Sequence, residues 1–198
     1  MMGASHKIAL LPMALAFVLI SGCQPAGPME RAGIAFTVPA SWRSVEPLAN
    51  RVPGVPLAAW DGPDGSSLVL YRTLPAPGGS PAMIAEGLAN RLENLPGLRL
   101  VVNRTEKIGE TTAARVEVVA PGTGNSLAPS GSGPPTAPDG KTLIPTREVT
   151  LGFHRPDATL FLTWNSPESS YGRIAPEIKA TLETVRFINS GKPAFYGY

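Results

Sequence analysis

The chain has 198 residues, of which 43% are hydrophobic and 16% are charged, with 17 basic and 15 acidic side chains. Without residues 1–22 the balance is 16 basic to 15 acidic side chains, or +1. So small a surplus gives no basic stripe for binding a phosphate backbone, which excludes a nucleic-acid partner. The remaining length suits one domain with a single core.

The amino terminus is typical of a secretory signal. Lys7 precedes the uncharged run IALLPMALAFVLI, which is 13 residues long and is followed by small residues. A helix needs about 20 apolar residues to span a bilayer, so this run fits the hydrophobic region of a signal better than a permanent span. We therefore predict that residues 1–22 are a signal peptide.

The end of that run, Ile20-Ser21-Gly22-Cys23, resembles the bacterial lipobox. The resemblance implies cleavage before Cys23, acylation of that cysteine and a linker over residues 23–32. Two or three acyl chains would hold the protein on a membrane without spanning it. Gln24 stands where an aspartate would resemble the inner-membrane retention signal, which implies the periplasmic face of the outer membrane. The alternative is an ordinary secretory signal with a coincidental cysteine.

Alternating apolar residues predict the first strands. Ile34, Phe36 and Val38 alternate up to Pro39, which predicts a half-buried strand there. Residues 57–61 and 67–72 predict two more strands, joined across Gly62-Pro63-Asp64-Gly65 as a hairpin.

A helix follows at Ser80-Pro81, which has the form of an N-cap with proline at the first helical position. Its apolar residues recur every three or four positions until Pro96-Gly97: Ile84, Leu88, Leu92 and Leu95.

Two further hairpins are predicted from period-two alternation. The second turns at Gly109 and alternates at Leu98, Leu100, Val102, Ala114, Val116 and Val118, with Arg115 and Glu117 pointing away. The third turns at Pro156-Asp157 and alternates at Val149, Leu151, Phe153, Leu160, Leu162 and Trp164.

A second helix is predicted from helical spacing after Glu168, at Tyr171, Ile174, Ile178, Leu182 and Val185. Pro176 interrupts the pattern, so we expect a loose first turn and a regular helix from about Ala175. Together the elements predict an α+β domain over residues 33–188. Its central antiparallel sheet has about six or seven strands in hairpins and is flanked by two main helices.

Residues 121–145 interrupt this pattern, because 17 of the 25 are Gly, Pro, Ser or Thr. Such a segment cannot bury a core of its own. It is interpreted either as a mobile surface insertion or as a partner-binding loop. Residues 189–198 form a C-terminal tail.

No catalytic or metal-binding pattern is found. His154 is the only histidine after the signal, and no cysteine follows Cys23, which excludes a His/Cys metal site. His154 is interpreted as an exposed strand residue, and neither a GxSxG elbow nor a phosphate loop is present. Three further groups of residues are interpreted as structural and not catalytic. Asp61, Asp64 and Asp157 are turn aspartates that we expect to bond nearby backbone amides, and Trp42, Trp60 and Trp164 are expected in the core. The spacing of Glu110, Glu117 and Glu148 brings no two of these carboxylates together in a cleft.

The order of these elements resembles the PsbP-like fold, which includes the photosystem II extrinsic subunit, the Ran-binding Mog protein and DcrB-type lipoproteins. The resemblance rests on GIAFTVPASW, DGPDGSSLVLYR and LFLTWNSP, with a final helix ending in VRF, and covers residues 33–188. It implies a binding or assembly module without shared catalytic residues. The insertion at 121–145 departs from a compact version of the fold.

These observations lead to a functional hypothesis of a membrane-tethered, non-catalytic protein that binds a protein partner in the cell envelope. No cofactor or metal is expected, and the sequence does not predict the partner or the oligomeric state. Two alternatives remain. One is a carrier of a small apolar or amphipathic ligand, which needs a pocket between sheet and helix. The other is an envelope hydrolase using paired carboxylates.

Overall fold

The computed structural model describes residues 32–47, 54–75, 79–95, 97–121 and 144–188. The predicted signal peptide, the lipobox with Cys23, most of the linker, residues 122–143 of the insertion and the tail at 189–198 lie outside the described residues. Those features therefore stay predictions.

The described residues form nine strands and two α-helices. In chain order the elements are β1 (Ile34–Ala35), β2 (Arg43–Val45), β3 (Val55–Asp61), β4 (Ser67–Thr73), α1 (Pro81–Glu93), β5 (Arg99–Ile108), β6 (Thr111–Ala120), β7 (Thr146–His154), β8 (Thr159–Pro167), α2 (Tyr171–Glu183) and β9 (Arg186–Phe187). Short 3₁₀ turns at Pro63–Gly65 and Glu168–Ser170 precede β4 and α2.

Seven strands make one antiparallel sheet in the order β2-β3-β4-β8-β7-β6-β5, and β1 pairs with β9 beside it. The three predicted hairpins are confirmed as β3–β4, β5–β6 and β7–β8. The pairing of β4 with β8 joins the first hairpin to the rest of the sheet. The predicted α+β class with a central antiparallel sheet and two helices is thus confirmed.

The larger core lies between the sheet and α2. Period-two alternation sends one set of side chains from β4, β7 and β8 to this side, where they are buried against Ile174 and Ile178 of the helix. The central members of this set are Leu68, Leu70, Leu151, Phe153, Leu160, Leu162 and Trp164. Each such fully buried side chain contributes about 1.5–3 kcal/mol relative to exposure.

The smaller core lies on the opposite side of the sheet, under α1. Ile84, Ala85 and Leu92 of the helix pack there against the second set of β6 side chains. The helix begins as predicted, because the Ser80 side chain accepts a hydrogen bond from the backbone N–H of Met83 at 3.2 Å.

Two sequence predictions are wrong in extent. The strand predicted over Ile34–Val38 stops at Ala35, because its pairing partner β9 is only two residues long; Phe36 is nonetheless buried. Helix α2 begins at Tyr171 and contains Pro176, whereas the prediction began it near Ala175. Burial of Ile174 and Ile178 on either side of the proline favours the helix despite one missing N–H donor.

Candidate functional site

Arg115 and Arg147 lie on neighbouring strands, on the α2 side of the sheet. At this place charged side chains follow the apolar side chains of the larger core along the strands. Arg115 of β6 donates from Nε to Glu117 Oε1 at 2.8 Å, and its Nη2 donates to the same oxygen. Its Nη1 donates to both oxygens of Glu106 on β5, at 3.2 and 3.1 Å. One guanidinium therefore bridges two carboxylates.

Arg147 of β7 extends the same group toward the start of α2. Its Nε and Nη2 donate to the two oxygens of Glu168 at 2.9 Å each, a bidentate pair. Its Nη1 lies 3.6 Å from Glu117 Oε2, and its guanidinium lies 4.1 Å from the centre of the Tyr171 ring. Such stacking of arginine on an aromatic face adds a cation–π attraction.

Tyr171, the first residue of α2, completes the set by donating from its hydroxyl to Glu117 Oε2 at 3.3 Å. We call these side chains the Arg–Glu network: Glu106, Arg115, Glu117, Arg147, Glu168 and Tyr171. Burial raises the pKa of Tyr171, and the charge of Glu117 adds to this, although both arginines oppose it. The phenol is accordingly held in its protonated, donating form.

The carboxylates raise the pKa of both arginines. Burial lowers the pKa of Arg115, but the hydrogen bond and charge of Glu117, with that of Glu106, outweigh it and raise the pKa. The hydrogen bond to Glu168 likewise raises the pKa of Arg147. Since the side chain of Glu117 is only 5% exposed, its hydrogen bonds to these partners replace hydrogen bonds to water.

A groove of about 420 Å³ lies beside the network, between the end of the β5–β6 hairpin and α2. We call it the α2 groove. Its lining residues are Glu106, Lys107, Ile108, Gly109, Arg115, Tyr171, Ala175, Ile178, Lys179, Leu182 and Glu183. The rim is charged and accessible: Lys179 and Glu183 are 79% and 67% exposed and form an ion pair at 3.9 Å.

The apolar floor of the α2 groove is already covered. Ile108, Ile178 and Leu182 are 5%, 3% and 7% exposed, so little apolar area remains for a ligand to cover. The groove thus offers exposed charged groups beside a buried network of ion pairs. This chemistry suits a polar, charged segment of another molecule better than an apolar ligand.

The three glutamates considered for a carboxylate pair are kept apart. Glu117 pairs in register with Val149, and Glu148 with Val118, so the two carboxylates point to opposite faces of the sheet. Glu110 lies exposed in the turn after Gly109. Glu106 does approach Glu117, but Arg115 stands between them and binds both.

The burial of the three tryptophans agrees with the sequence prediction, whereas that of His154 does not. Trp42, Trp60 and Trp164 are core residues, as predicted, with 9% exposure or less. His154 is half-buried and was wrongly predicted to be exposed.

The turn aspartates were expected to bond nearby backbone amides, but instead they form ion pairs with arginines. Asp61 lies 3.5 Å from Arg43 and Asp64 contacts Arg173. Asp157 lies between Arg72 and Arg155. A turn aspartate at the end of a strand reaches such partners because neighbouring elements end at the same edge of the sheet.

Sequence reasoning missed the Arg–Glu network. The alternation of Arg115 and Glu117 was interpreted as the outer face of a strand, although α2 lies over that face. The available signal was the run RVE in a strand otherwise rich in Ala and Val, with further Arg and Glu residues on both neighbouring strands. Charges of both signs at matching strand positions are typical of cross-strand pairing.

Within the described ranges, no group of three or more His, Cys, Asp or Glu side chains is placed to hold a metal ion. None of the helices in the part of the chain that the structure describes is long and apolar enough to cross a membrane.

No known protein-family profile and no curated protein matches the sequence, whereas solved structures match the fold. Cyanobacterial PsbP (CyanoP) from Synechocystis sp. PCC 6803 is 8% identical with a TM-score of 0.51, covering 88% of this chain and 98% of that one. The Saccharomyces cerevisiae Ran-binding protein Mog1p is 12% identical with a TM-score of 0.50, covering 80% and 92%. A structure from Bacteroides thetaiotaomicron is 12% identical with a TM-score of 0.46, and the match covers 82% of this chain. This chain spans only 47% of the length of that protein.

The chain is therefore an α+β protein with a helix packed on each side of an antiparallel sheet. Its fold is that of cyanobacterial PsbP and of Mog1p, as the sequence resemblance predicted. At 8% and 12% identity this likeness establishes the fold alone.

Proposed function

We propose that this protein is a non-catalytic binding module of the cell envelope, tethered by lipid on Cys23, that holds a protein partner at the α2 groove. The observation that carries the proposal is the groove itself, where an exposed charged rim lies beside a buried network of ion pairs. Charged groups on an accessible surface favour specific recognition of a partner with complementary charges. That Mog1p is a Ran-binding protein supports a binding role for the fold.

The partner that fits is a polar segment of a protein carrying both acidic and basic side chains. Lys107 and Lys179 offer cations on the rim, and Glu183 offers an anion. The covered floor disfavours a carrier of apolar ligands, although the groove volume falls within the range of small-molecule sites. The separation of Glu117 from Glu148 disfavours a carboxylate-pair hydrolase.

The tether is proposed from the lipobox, Ile20-Ser21-Gly22-Cys23, and the outer membrane from Gln24. Metabolic labelling with a fatty acid tests it, comparing wild type with Cys23→Ala. We expect label and membrane association in the wild type and loss of both in the variant. An unlabelled wild type would refute the tether and leave a secreted domain with a spare thiol.

The partner surface is tested by placing a photocrosslinking amino acid at Lys179 on the groove rim, with Arg91 on the opposite helix as the control. Both positions are exposed charged residues of a helix, so neither replacement disturbs a core. We expect a discrete protein adduct from Lys179 only, and its loss when Lys107→Glu reverses a rim charge. Equal adducts from both positions, or none from Lys179, would contradict the proposal.

A further inference from the structure

Two large apolar side chains are exposed together at one end of the sheet. Val55, the first residue of β3, is 58% exposed, and Leu74, just after β4, is 78% exposed. Val55 lies opposite Arg72 in register, so these two side chains share one face of the strands, and Leu74 follows directly after β4. An exposed apolar group beside charged neighbours is a common mark of an interaction surface.

Cationic side chains border this apolar pair. Arg72 Nη2 lies 3.5 Å from Asp157 Oδ2, and Arg155 Nε lies 3.2 Å from Asp157 Oδ1. Two arginines therefore share one carboxylate beside the apolar pair. Apolar side chains flanked by arginine match the boundary between acyl chains and anionic headgroups.

The described chain also begins at this end. Arg155 Nη1 donates to the carbonyl oxygens of Ala32 and Gly33, at 3.3 and 2.6 Å. Gly33 has φ +68°, a conformation that favours glycine, and a Cβ there would meet the Arg155 guanidinium. Arg155 thereby fixes where the linker leaves the domain.

The distance to the proposed anchor is short. Cys23 precedes Ala32 by nine positions, a span of at most about 32 Å when fully extended. A lipid on Cys23 would therefore keep the end that contains Arg155 nearer the bilayer than the opposite end, where Ile144 precedes β7.

We propose that this end, formed by Val55, Leu74, Arg72, Arg155 and Asp157, lies on the surface of an anionic bilayer and orients the domain. This inference rests on the proposed lipid tether at Cys23. The bilayer surface accounts for the exposed apolar pair, the adjoining arginines and the place where the chain enters the domain.

Single thiols test this orientation. Because the sequence contains one cysteine, and acylation would use its sulfur, Leu74→Cys and Ile144→Cys each provide the only free thiol of the lipidated full chain. Both native side chains are exposed and apolar, at 78% and 62%, which makes them a matched pair. A thiol-linked fluorophore is placed on each, and the protein is reconstituted in phosphatidylethanolamine–phosphatidylglycerol vesicles that carry a nitroxide on the headgroup.

We expect the probe at Leu74 to lie within about 10 Å of the headgroups and to lose most of its fluorescence, whereas the probe at Ile144 keeps it. Equal quenching at the two positions in acylated protein would overturn the orientation and leave the tether standing. Disulfide-linked dimers of unlabelled Leu74→Cys protein, with no quenching of the labelled protein, would assign the surface to a second copy and also overturn it. Absence of fatty-acid label on the wild type would remove the tether and the orientation together.

Discussion

The Arg–Glu network makes a prediction about stability that follows from the burial of Glu117. Arg115→Met keeps most of the volume of the side chain but removes the guanidinium that donates two hydrogen bonds to this carboxylate. Glu117 would then keep only the Tyr171 hydroxyl at 3.3 Å and Arg147 at 3.6 Å as polar partners in the network.

The expected cost of Arg115→Met is about 3 kcal/mol in the free energy of unfolding. Removing one partner of a buried ion pair costs about 3–5 kcal/mol. The lower end applies because Arg115 is 17% exposed and two partners of Glu117 remain. For a domain of this size the loss lowers the melting temperature by about 6–12 °C.

Arg104→Met is the matched control. Arg104 binds the same Glu106 at 3.0 Å, but its side chain is 60% exposed. Exposed pairs contribute little, so we expect a change below about 1 kcal/mol. The double variant Arg115→Met/Glu117→Leu should recover most of the loss, because apolar side chains of similar volume replace a buried ion pair with little penalty.

Urea denaturation of the wild type, the two single variants and the double variant gives these free energies of unfolding directly. The reasoning would be refuted if Arg115→Met cost no more than Arg104→Met. It would also fail if the double variant were as unstable as Arg115→Met alone, since the loss would then come from packing and not from an unpaired carboxylate.

Three further predictions concern other parts of the fold. Gly152→Ala would place a Cβ 2.5 Å from Ile84 Cγ2. We expect it to lower the free energy of unfolding by about 1–3 kcal/mol in urea denaturation, and Ile84→Ala in the same protein should recover part of that loss. If the effects of the two substitutions were fully additive, the clash would be contradicted. Ser80→Ala removes the cap of α1 and should cost about 1 kcal/mol, whereas an unchanged denaturation midpoint would disprove the cap. Burial raises the pKa of both Tyr71 and Tyr171, each aided by a nearby glutamate. The unfolded chain therefore loses these protons first, and stability should hold below about pH 10 and fall above it. Alkaline titration of tyrosinate absorbance checks this, and Tyr71→Phe or Tyr171→Phe should each flatten the fall.

Most of the fold could be predicted because its main strands bury one face each. Alternation at Val149, Leu151 and Phe153 marks a strand regardless of what packs on it, and Gly109 marks the turn. Ser80-Pro81 marks a helix start through local chemistry alone. These signals lie within a few residues of one another, so they can be read without knowing the tertiary structure.

The features of the fold and site that could not be predicted depend on contacts between segments that are distant in the sequence. That Arg115 and Glu117 are covered follows from the position of α2, more than fifty residues later in the chain. The early start of α2 depends on tertiary burial of Ile174, which overrides the local preference of Pro176. The Asp64–Arg173 and Asp157–Arg72 pairs likewise join separate elements, so turn chemistry alone gave the wrong partners.

The pairing of β4 with β8 has a consequence for how the chain folds. Ser67 lies opposite Asn165, about a hundred positions later, which makes this the slowest kind of strand contact to form. During synthesis the strands up to β4 are made before their partner β8. Until β8 is made, Leu68 and Leu70 are uncovered and the edge of β4 that pairs with β8 is open. A chain truncated before β8 would also leave β7 with an open edge. Such fragments would associate through these edges and not fold, so the two halves of the sheet cannot serve as independent units.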